Sequence, residues 1–299
     1  MHDIRLAIGL IGFISIAIFA IVYRLLRSRS VIFLTVMAAI VVALIIVYVV
    51  TVWGQLWIVN WIPLPSVIVL ANWFPPFLGA LAAIVWLQMK HQSVARRLPV
   101  MALMVVAAVV SIMFFIPKEA PECDDEWVTA VMLDGRPMAA WPVCLQTTPN
   151  TCSAAAAATI LNTLDIEATE QEMAQLCLTK VGTTWLGLYH GLATKLLGTK
   201  HRAEFFEGDV DTLRELSRTH PVLLCCQLDE QLAHLAPGYV EEGGWIPGVA
   251  HSTVYFGETS RGHLIGDPTR GFEFWQTRDL NLLWTGQGLK ITTYERQGS

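Results

Sequence analysis

The chain has 299 residues, a length that suits about two domains. Its hydrophobic content of 54% with only 15% charged residues is unusual for a soluble protein. The charge is uneven: before residue 117 there are 7 Lys and Arg against 1 acidic residue (+6), and after it 13 against 24 (−11), which sums to −5. The acidic C-terminal part argues against a nucleic-acid partner, because affinity for nucleic acid comes mainly from neutralising phosphates.

The N-terminal part contains four apolar stretches, each close to the length of about 20 residues that crosses a bilayer. They are residues 6–26, 31–53, 66–89 and 98–116, and none contains an acidic residue. We therefore predict a four-helix transmembrane domain over residues 1–116, with the lipid bilayer around it and a surface that could bind a membrane protein partner. The first stretch could be a cleaved signal peptide, but its basic residues follow the apolar run, which favours a permanent helix.

The loops between these stretches differ in charge, which predicts their orientation. The loop between the second and third stretches has no Lys or Arg, whereas the other two loops have six: Arg24, Arg27, Arg29, Lys90, Arg96 and Arg97. By the positive-inside rule the two basic loops face the cytoplasm, so both termini and the C-terminal domain are expected outside it. Pro75 and Pro76 are expected to kink the third helix.

After a linker over residues 117–137, residues 138–299 are predicted to fold as a separate α+β domain. Helices are expected to begin at Cys152, after Thr169 in a capping box, at Thr184 and near Asp211. Short β-rich segments then follow, separated by Gly or Pro: PVLLCCQL, HSTVYFG, GHLIGDP, GFEFW and GLKITTY. Helices followed by an antiparallel sheet make an α+β arrangement.

Cys152 begins an alanine-rich run in CLQTTPNTCSAAAAATILNTL. A thiol in the first turn of a helix lies at the positive end of the helix dipole, which favours the thiolate. His251 opens one predicted strand and Asp267 ends the next, so a hairpin could bring both side chains to one edge of the sheet. Taken singly, a strand-opening histidine and an Asp-Pro turn are more often structural. Together with Cys152 they predict a catalytic site.

The other cysteines allow several interpretations. Cys123 and Cys144 could form a disulfide if the domain lies outside the cytoplasm, closing a loop of about 22 residues and adding about 3 kcal/mol to stability. They could equally be two unrelated thiols. Cys225 and Cys226 lie in an apolar run and are expected in the core. There is no CxxC pair, so no zinc site is predicted.

Between PVLLCCQL and His251 lies the insertion DEQLAHLAPGYVEEGGWIPGVA, which is rich in glycine and aromatic residues. It could be a flap that covers a substrate with Tyr239 and Trp245, because long loops in compact domains are often functional. An ordinary surface loop is the alternative.

Residues 138–292 resemble the papain-like peptidases that process bacteriocins at double-glycine leaders, the thirty-ninth family of cysteine peptidases. The resemblance lies in QTTPNTCSAA, NTLDIEATEQEM, GTTWLGL, AHSTVYFG, IGDPTRG and LWTGQGL, in this order. It implies a papain-like fold, Cys152 as nucleophile, His251 as general base and acid, Asp267 as its orienting partner and Gln146 as an oxyanion donor. It also implies a peptide or protein substrate, no cofactor and no metal, and a prokaryotic plasma membrane.

The chain differs from this family in two respects. Ser153 stands where the family usually has glycine, and its Cβ could crowd the substrate path. Family members are commonly joined to an ATP-driven exporter, whereas no GxxxxGK[ST] phosphate loop occurs here. The expected function is a membrane-anchored cysteine peptidase; the alternatives are a catalytically silent binding module with this fold and an acyl or amide transferase that uses the same thioester.

Overall fold

The computed structural model describes residues 2–113, 115, 119–133 and 136–294. The chain forms two compact units, which are described separately. One consists of residues 1–58 and 66–117, and the other of residues 59–65 and 118–299.

The first unit is a bundle of apolar helices. They are α1 (His2–Leu26), α2 (Val31–Thr51), α3 (Val67–Leu70), α4 (Phe74–Gln88) and α5 (Val94–Met113). Helix α4 packs against α1, α2 and α5, and α3 and α4 together form one apolar segment. Within the described residues there are thus four segments long and apolar enough to cross a membrane, as the sequence predicts.

The third segment is broken rather than kinked. Helix α3 ends at Leu70, α4 begins at Phe74, and Pro75 and Pro76 lie in the first turn of α4. Proline is tolerated there because the first N–H groups of a helix have no partner within the helix. The Asn72 Oδ1 accepts a hydrogen bond from the Phe74 N–H at 3.3 Å and so supports the new helix start. The prediction of a kink at the prolines was therefore wrong.

The second unit has helices and an antiparallel sheet. Its helices are α6 (Cys152–Asn162), α7 (Glu170–Leu176), α8 (Trp185–Lys195), α9 (Val210–Leu216), α10 (Pro237–Glu241) and α11 (Thr277–Leu283). Its strands are β1 (Trp127–Leu133), β2 (Arg136–Cys144), β3 (His201–Glu207), β4 (Val222–Gln227), β5 (Ala250–Thr259), β6 (Gly262–Asp267), β7 (Gly271–Trp275) and β8 (Trp284–Thr293). Strands β1 and β2 form a hairpin, and the other six form a sheet in the order β3-β8-β4-β5-β6-β7.

Helix α6 lies in the interior of this unit, which explains its composition. All nine residues from Ser153 to Leu161 are buried, and the helix packs against α7, α8, β2, β4 and β5. Alanine side chains allow such close approach on all sides while keeping a high helix propensity. A second core is formed by apolar residues of β3, β4, β5, β6, β7, α9 and α11, among them Leu224, Tyr255 and Trp275. The α+β architecture of helices followed by an antiparallel sheet is thus as predicted.

The local signals in the sequence correspond to the observed helix ends in most cases. Thr169 caps α7 by accepting a hydrogen bond from the Glu172 N–H at 3.1 Å, although the Glu172 carboxylate pairs with Lys195 instead of completing a capping box. Asp209 caps α9 with Thr212. The domain bounds stay a prediction. The structure adds β3 and α11, which the sequence did not indicate, and the pairing of β1 with β2, of which β1 lies in the segment predicted to be a linker.

Candidate active site

The candidate site is formed where the start of α6 meets the ends of β5 and β6. Cys152 is the first residue of α6, where backbone N–H groups have no partner within the helix and the dipole is positive. His251 lies near the start of β5, and Asp267 ends β6. The register pairs Val254 with Gly266, so His251 and Asp267 lie diagonally across the two strands on one face of the sheet.

Asp267 holds the His251 imidazole through a short hydrogen bond. The distance from His251 Nε2 to Asp267 Oδ1 is 2.9 Å, and the Asp267 side chain is fully buried. Thr269 donates to the same Oδ1 from its N–H at 2.8 Å and its hydroxyl at 2.7 Å. Trp245 Nε1 donates to the other oxygen, Oδ2, at 3.0 Å. Both oxygens of this buried carboxylate therefore have donors.

Cys152 and His251 form the candidate reactive pair, because each group shifts the pKa of the other. Burial by itself raises the pKa of Cys152, but the charge of His251 and hydrogen bonds from His251 and Ser252 outweigh it and lower that pKa below its ordinary value. Burial lowers the pKa of His251, but the charges of Asp267 and Cys152 raise it to about 10. Both shifts favour the pair of thiolate and imidazolium over the pair of neutral groups.

The pKa of Asp267 is also shifted. Burial raises it, but the charge of His251 and the hydrogen bonds from His251 and Thr269 together hold the pKa below its ordinary value. The carboxylate therefore stays ionised over the range in which the imidazolium exists. Because Nε2 of His251 is hydrogen-bonded to the ionised Asp267, the other ring nitrogen, Nδ1, remains available to interact with the sulfur of Cys152.

Gln146 lies in the loop that leads into α6. Its backbone N–H donates to the Pro268 carbonyl at 2.7 Å, which ties this loop to the turn after Asp267. Its side-chain Nε2 donates to the Thr148 carbonyl at 3.1 Å. An amide nitrogen has two hydrogens, so one remains for an oxyanion. The structure thus brings Gln146 to the end of the sheet where Asp267 lies.

Tyr239 and Trp245 belong to an aromatic cluster against the histidine. Trp245 is only 4% exposed, and its ring centroid lies 4.4 Å from that of His251. Tyr239 packs edge-on to Trp245 at 5.6 Å and to Trp275 at 5.9 Å. Trp245 is therefore built into the site, and the role of this segment as a flap over a substrate stays a prediction.

Cys123 and Cys144 are both free thiols in the structure, which does not hold the predicted disulfide. They lie close enough for the charge of Cys123 to raise the pKa of Cys144, and burial together with Glu170 raises the pKa of Cys123 to about 11. The disulfide stays a prediction for an oxidising compartment. Cys225 and Cys226 are fully buried in β4, in agreement with a core position.

Several residues that shape the site were not identified from the sequence. They are Trp245 as a donor to Asp267, Thr269, Ser252 and Glu170. The DPT sequence after the β6 strand is a signal for Thr269, because Asp side chains at turns accept from the residue two positions on. The other three depend on contacts between distant segments. Within the described residues no group of three or more His, Cys, Asp and Glu side chains is arranged to hold a metal ion.

No protein-family model and no curated protein matches the chain. Solved structures do match. The peptidase domain of Streptococcus ComA, a bifunctional ABC transporter involved in quorum sensing, is 19% identical with a TM-score of 0.39, covering 50% of this chain and 96% of that domain. The peptidase domain of Streptococcus mutans ComA is 20% identical with a TM-score of 0.34 and the same coverage.

A third match is a double-glycine-motif protease from an AMS/PCAT transporter in complex with its leader peptide. It is 15% identical with a TM-score of 0.38, covering 51% of this chain and 91% of that one. The first two of these similar structures are peptidase domains, and the third is a protease.

Proposed function

We propose that the chain is a membrane-anchored cysteine peptidase that cleaves peptides through a covalent thioester. The observation that carries this proposal is the arrangement of three groups. A thiol at a helix start lies close enough to His251 for each group to shift the pKa of the other, and His251 Nε2 lies 2.9 Å from the buried Asp267. A nucleophile, a base and a third group that orients the base are the parts that nucleophilic catalysis needs.

In this mechanism the Cys152 thiolate attacks the carbonyl carbon of a peptide bond. The negative charge that develops on the oxygen is stabilised by the Gln146 Nε2 and by the backbone N–H of Cys152, each worth about 10²–10³ in rate. His251 then gives its proton to the leaving amine, so the C–N bond breaks and a thioester remains. Water, deprotonated by His251, hydrolyses the thioester and restores the thiolate.

We further propose that the first unit anchors the peptidase in a prokaryotic plasma membrane with the peptidase outside the cytoplasm. The supporting observation is the charge of the connections between helices. Six basic residues lie in or within one helical turn of the two connections that join α1 to α2 and α4 to α5. The connection between α2 and α3 has none. Positive residues are retained on the cytoplasmic side.

The test is covalent labelling of the full chain in detergent micelles with a tagged, thiol-reactive peptidyl inhibitor. We expect the label on Cys152 and cleavage of a matched peptide, with a double-glycine peptide as the first substrate. Cys152→Ala should lose both, since removing a nucleophile removes on the order of 10⁶ in kcat. The control is Cys123→Ala, which removes another partly exposed thiol. This variant should still be labelled on Cys152 and should still cleave the peptide.

Three outcomes would contradict the proposal. Cleavage that survives in Cys152→Ala would mean that another residue is the nucleophile. Labelling of Cys152 without cleavage of any peptide would indicate a silent binding module. If the product carries an added amine instead of water, as read from its mass, the chain is a transferase that uses the same thioester.

A further inference from the structure

Two serine hydroxyls meet directly behind the candidate nucleophile. Ser153 follows Cys152 in α6, and Ser252 follows His251 in β5. Their oxygens are 2.9 Å apart, and both side chains are buried, with 3% exposure for Ser153 and none for Ser252. The pair therefore connects the helix that carries the thiol to the strand that carries the imidazole.

This position bears on whether the side chain of Ser153, which stands where the family usually has glycine, crowds the substrate path. A side chain that crowded the substrate path would be exposed in the cleft. Ser153 instead lies between α6 and β5, where its hydroxyl is satisfied by Ser252. A buried hydroxyl without a hydrogen-bond partner would destabilise the fold. Each of the two serines supplies that partner for the other.

The same hydroxyl also faces the sulfur. Cys152 Sγ lies 4.0 Å from Ser153 Oγ. A hydrogen bond from the Ser252 backbone is one of the interactions that lower the pKa of this thiol. Two hydroxyls have two protons, of which their mutual hydrogen bond uses one. When Ser252 donates to Ser153, the Ser153 proton is free to point to the sulfur.

We propose, building on the proposed function, that Ser153 is a positioning residue whose hydroxyl, held by Ser252, donates a hydrogen bond to the Cys152 thiolate. The negative sulfur then has donors from His251, from the Ser252 backbone and from Ser153. Hydrogen bonds to an ionised acceptor are about twice as strong as those between neutral groups. The thiolate is therefore retained at lower pH than His251 alone would allow.

The competing explanation is that the two serines only satisfy each other in the core. The two explanations differ in what happens to the titration of Cys152. A purely structural pair affects the stability of the fold and leaves the midpoint of the thiol titration unchanged. A donor to the sulfur sets that midpoint.

The experiment measures the alkylation rate of Cys152 by iodoacetamide as a function of pH, on the full chain in detergent, with the modified peptide identified by mass spectrometry. In Ser153→Ala we expect the midpoint to rise by about one pH unit, which lowers the rate about tenfold below the original midpoint. Ser252→Ala should shift it in the same direction by less. The double variant should match Ser153→Ala, because both substitutions act through the same hydrogen bond, the one from Ser153 to the sulfur.

The matched control is Thr163→Val, which removes a hydroxyl that donates to the Ile160 carbonyl just beyond the other end of α6. Its midpoint should stay at the wild-type value. Ser153→Thr keeps the hydroxyl, and its Cys152 titration should have the wild-type midpoint. If Ser153→Ala does not fold, Ser252→Ala provides the same test.

An unchanged midpoint in folded Ser153→Ala or, where only it folds, Ser252→Ala would overturn this inference. The readout does not depend on a substrate. If the wild-type chain cleaves no peptide but the midpoint shifts, the peptidase proposal fails and the hydrogen bond to sulfur stands. If peptides are cleaved and the midpoint is unmoved, the proposed function stands and the role of Ser153 is structural.

Discussion

At the scale of single residues, the charge state of Cys152 and His251 determines when the site can react. The pKa of Cys152 lies below its ordinary value of 9.0 and that of His251 is raised to about 10. Thiolate and imidazolium therefore coexist from the lowered pKa of the thiol up to about pH 10. Above that pH the imidazolium loses the proton that the leaving amine needs, while the sulfur stays ionised.

This predicts that two measurements differ at high pH. The alkylation rate of Cys152 should rise once, on the acid side of pH 9, and then stay constant. The kcat/KM for peptide cleavage should rise over the same range and fall near pH 10. In His251→Ala the alkylation midpoint should move up, because the charge that lowers the thiol pKa is gone. An alkylation midpoint at pH 9 in the wild-type chain would contradict the ion pair.

Trp245 provides a second prediction at this scale. Its Nε1 donates to Asp267 Oδ2 at 3.0 Å, and Trp245→Phe removes this donor while keeping a ring beside His251. The Asp267 pKa should rise, because hydrogen bonds to the ionised form hold it down. We expect the acid limb of the kcat/KM profile to stay where Cys152 titrates, and kcat/KM at its optimum to fall about tenfold, because the carboxylate that orients His251 has lost a donor. Tyr239→Phe, which alters a neighbouring ring without removing a donor to Asp267, should keep kcat/KM; equal losses in both variants would indicate a packing effect.

At the scale of secondary-structure elements, the loop between β2 and α6 is held by a buried carboxylate. Glu170, at the start of α7, accepts from the Thr147 N–H at 2.9 Å and the Thr147 hydroxyl at 2.7 Å. Its own N–H donates to Asp125 Oδ1 at 3.0 Å. Because Thr147 follows Gln146, the start of α7 determines where the proposed oxyanion donor lies.

Glu170→Ala should therefore lower kcat for peptide cleavage, by up to about the 10²-fold loss expected when an oxyanion donor is removed. Glu170→Gln keeps an oxygen that can accept from Thr147 and should retain most of the activity. The alkylation rate of Cys152 should change little in either variant, since the thiol and His251 are untouched. A parallel loss of alkylation in Glu170→Ala would instead indicate a disturbed fold.

At the scale of the whole molecule, the distribution of charge predicts the compartment of the second unit. A reporter that is active only outside the cytoplasm, fused after Ser299, should be active, because the basic residues beside α1–α2 and α4–α5 are retained inside. Moving positive charge into the connection between α2 and α3 is the control and should reduce this activity. A reporter that works only in the cytoplasm should be silent at the same position.

The compartment also decides the state of Cys123 and Cys144. Outside the cytoplasm, alkylation of the native, unreduced chain should modify Cys152 readily and leave these two thiols blocked until reductant is added. Free thiols at both positions in that experiment would contradict the disulfide. A bridge from Cys144 to Cys152 would contradict the peptidase proposal, since it consumes the nucleophile.

The sequence by itself determined what depends on local pattern. Continuous apolar runs predicted the membrane-length segments, since length and hydropathy are read along the chain. Cap residues such as Thr169 and Thr184 marked helix starts, and short β-rich segments separated by Gly or Pro predicted the sheet. It also identified Cys152, His251 and Asp267 as candidates, because their places at element ends could be read from those elements.

Only the tertiary structure decided what depends on contacts between distant segments. The pairing of β1 with β2, the burial of Trp245 against His251 and the Ser153–Ser252 pair have no local signal. Pro75 and Pro76 predicted a kink where the folded chain has a break, which is another conformation that proline permits. Burial and hydrogen bonding in the folded chain make that choice, since buried polar groups must find partners wherever the fold places them.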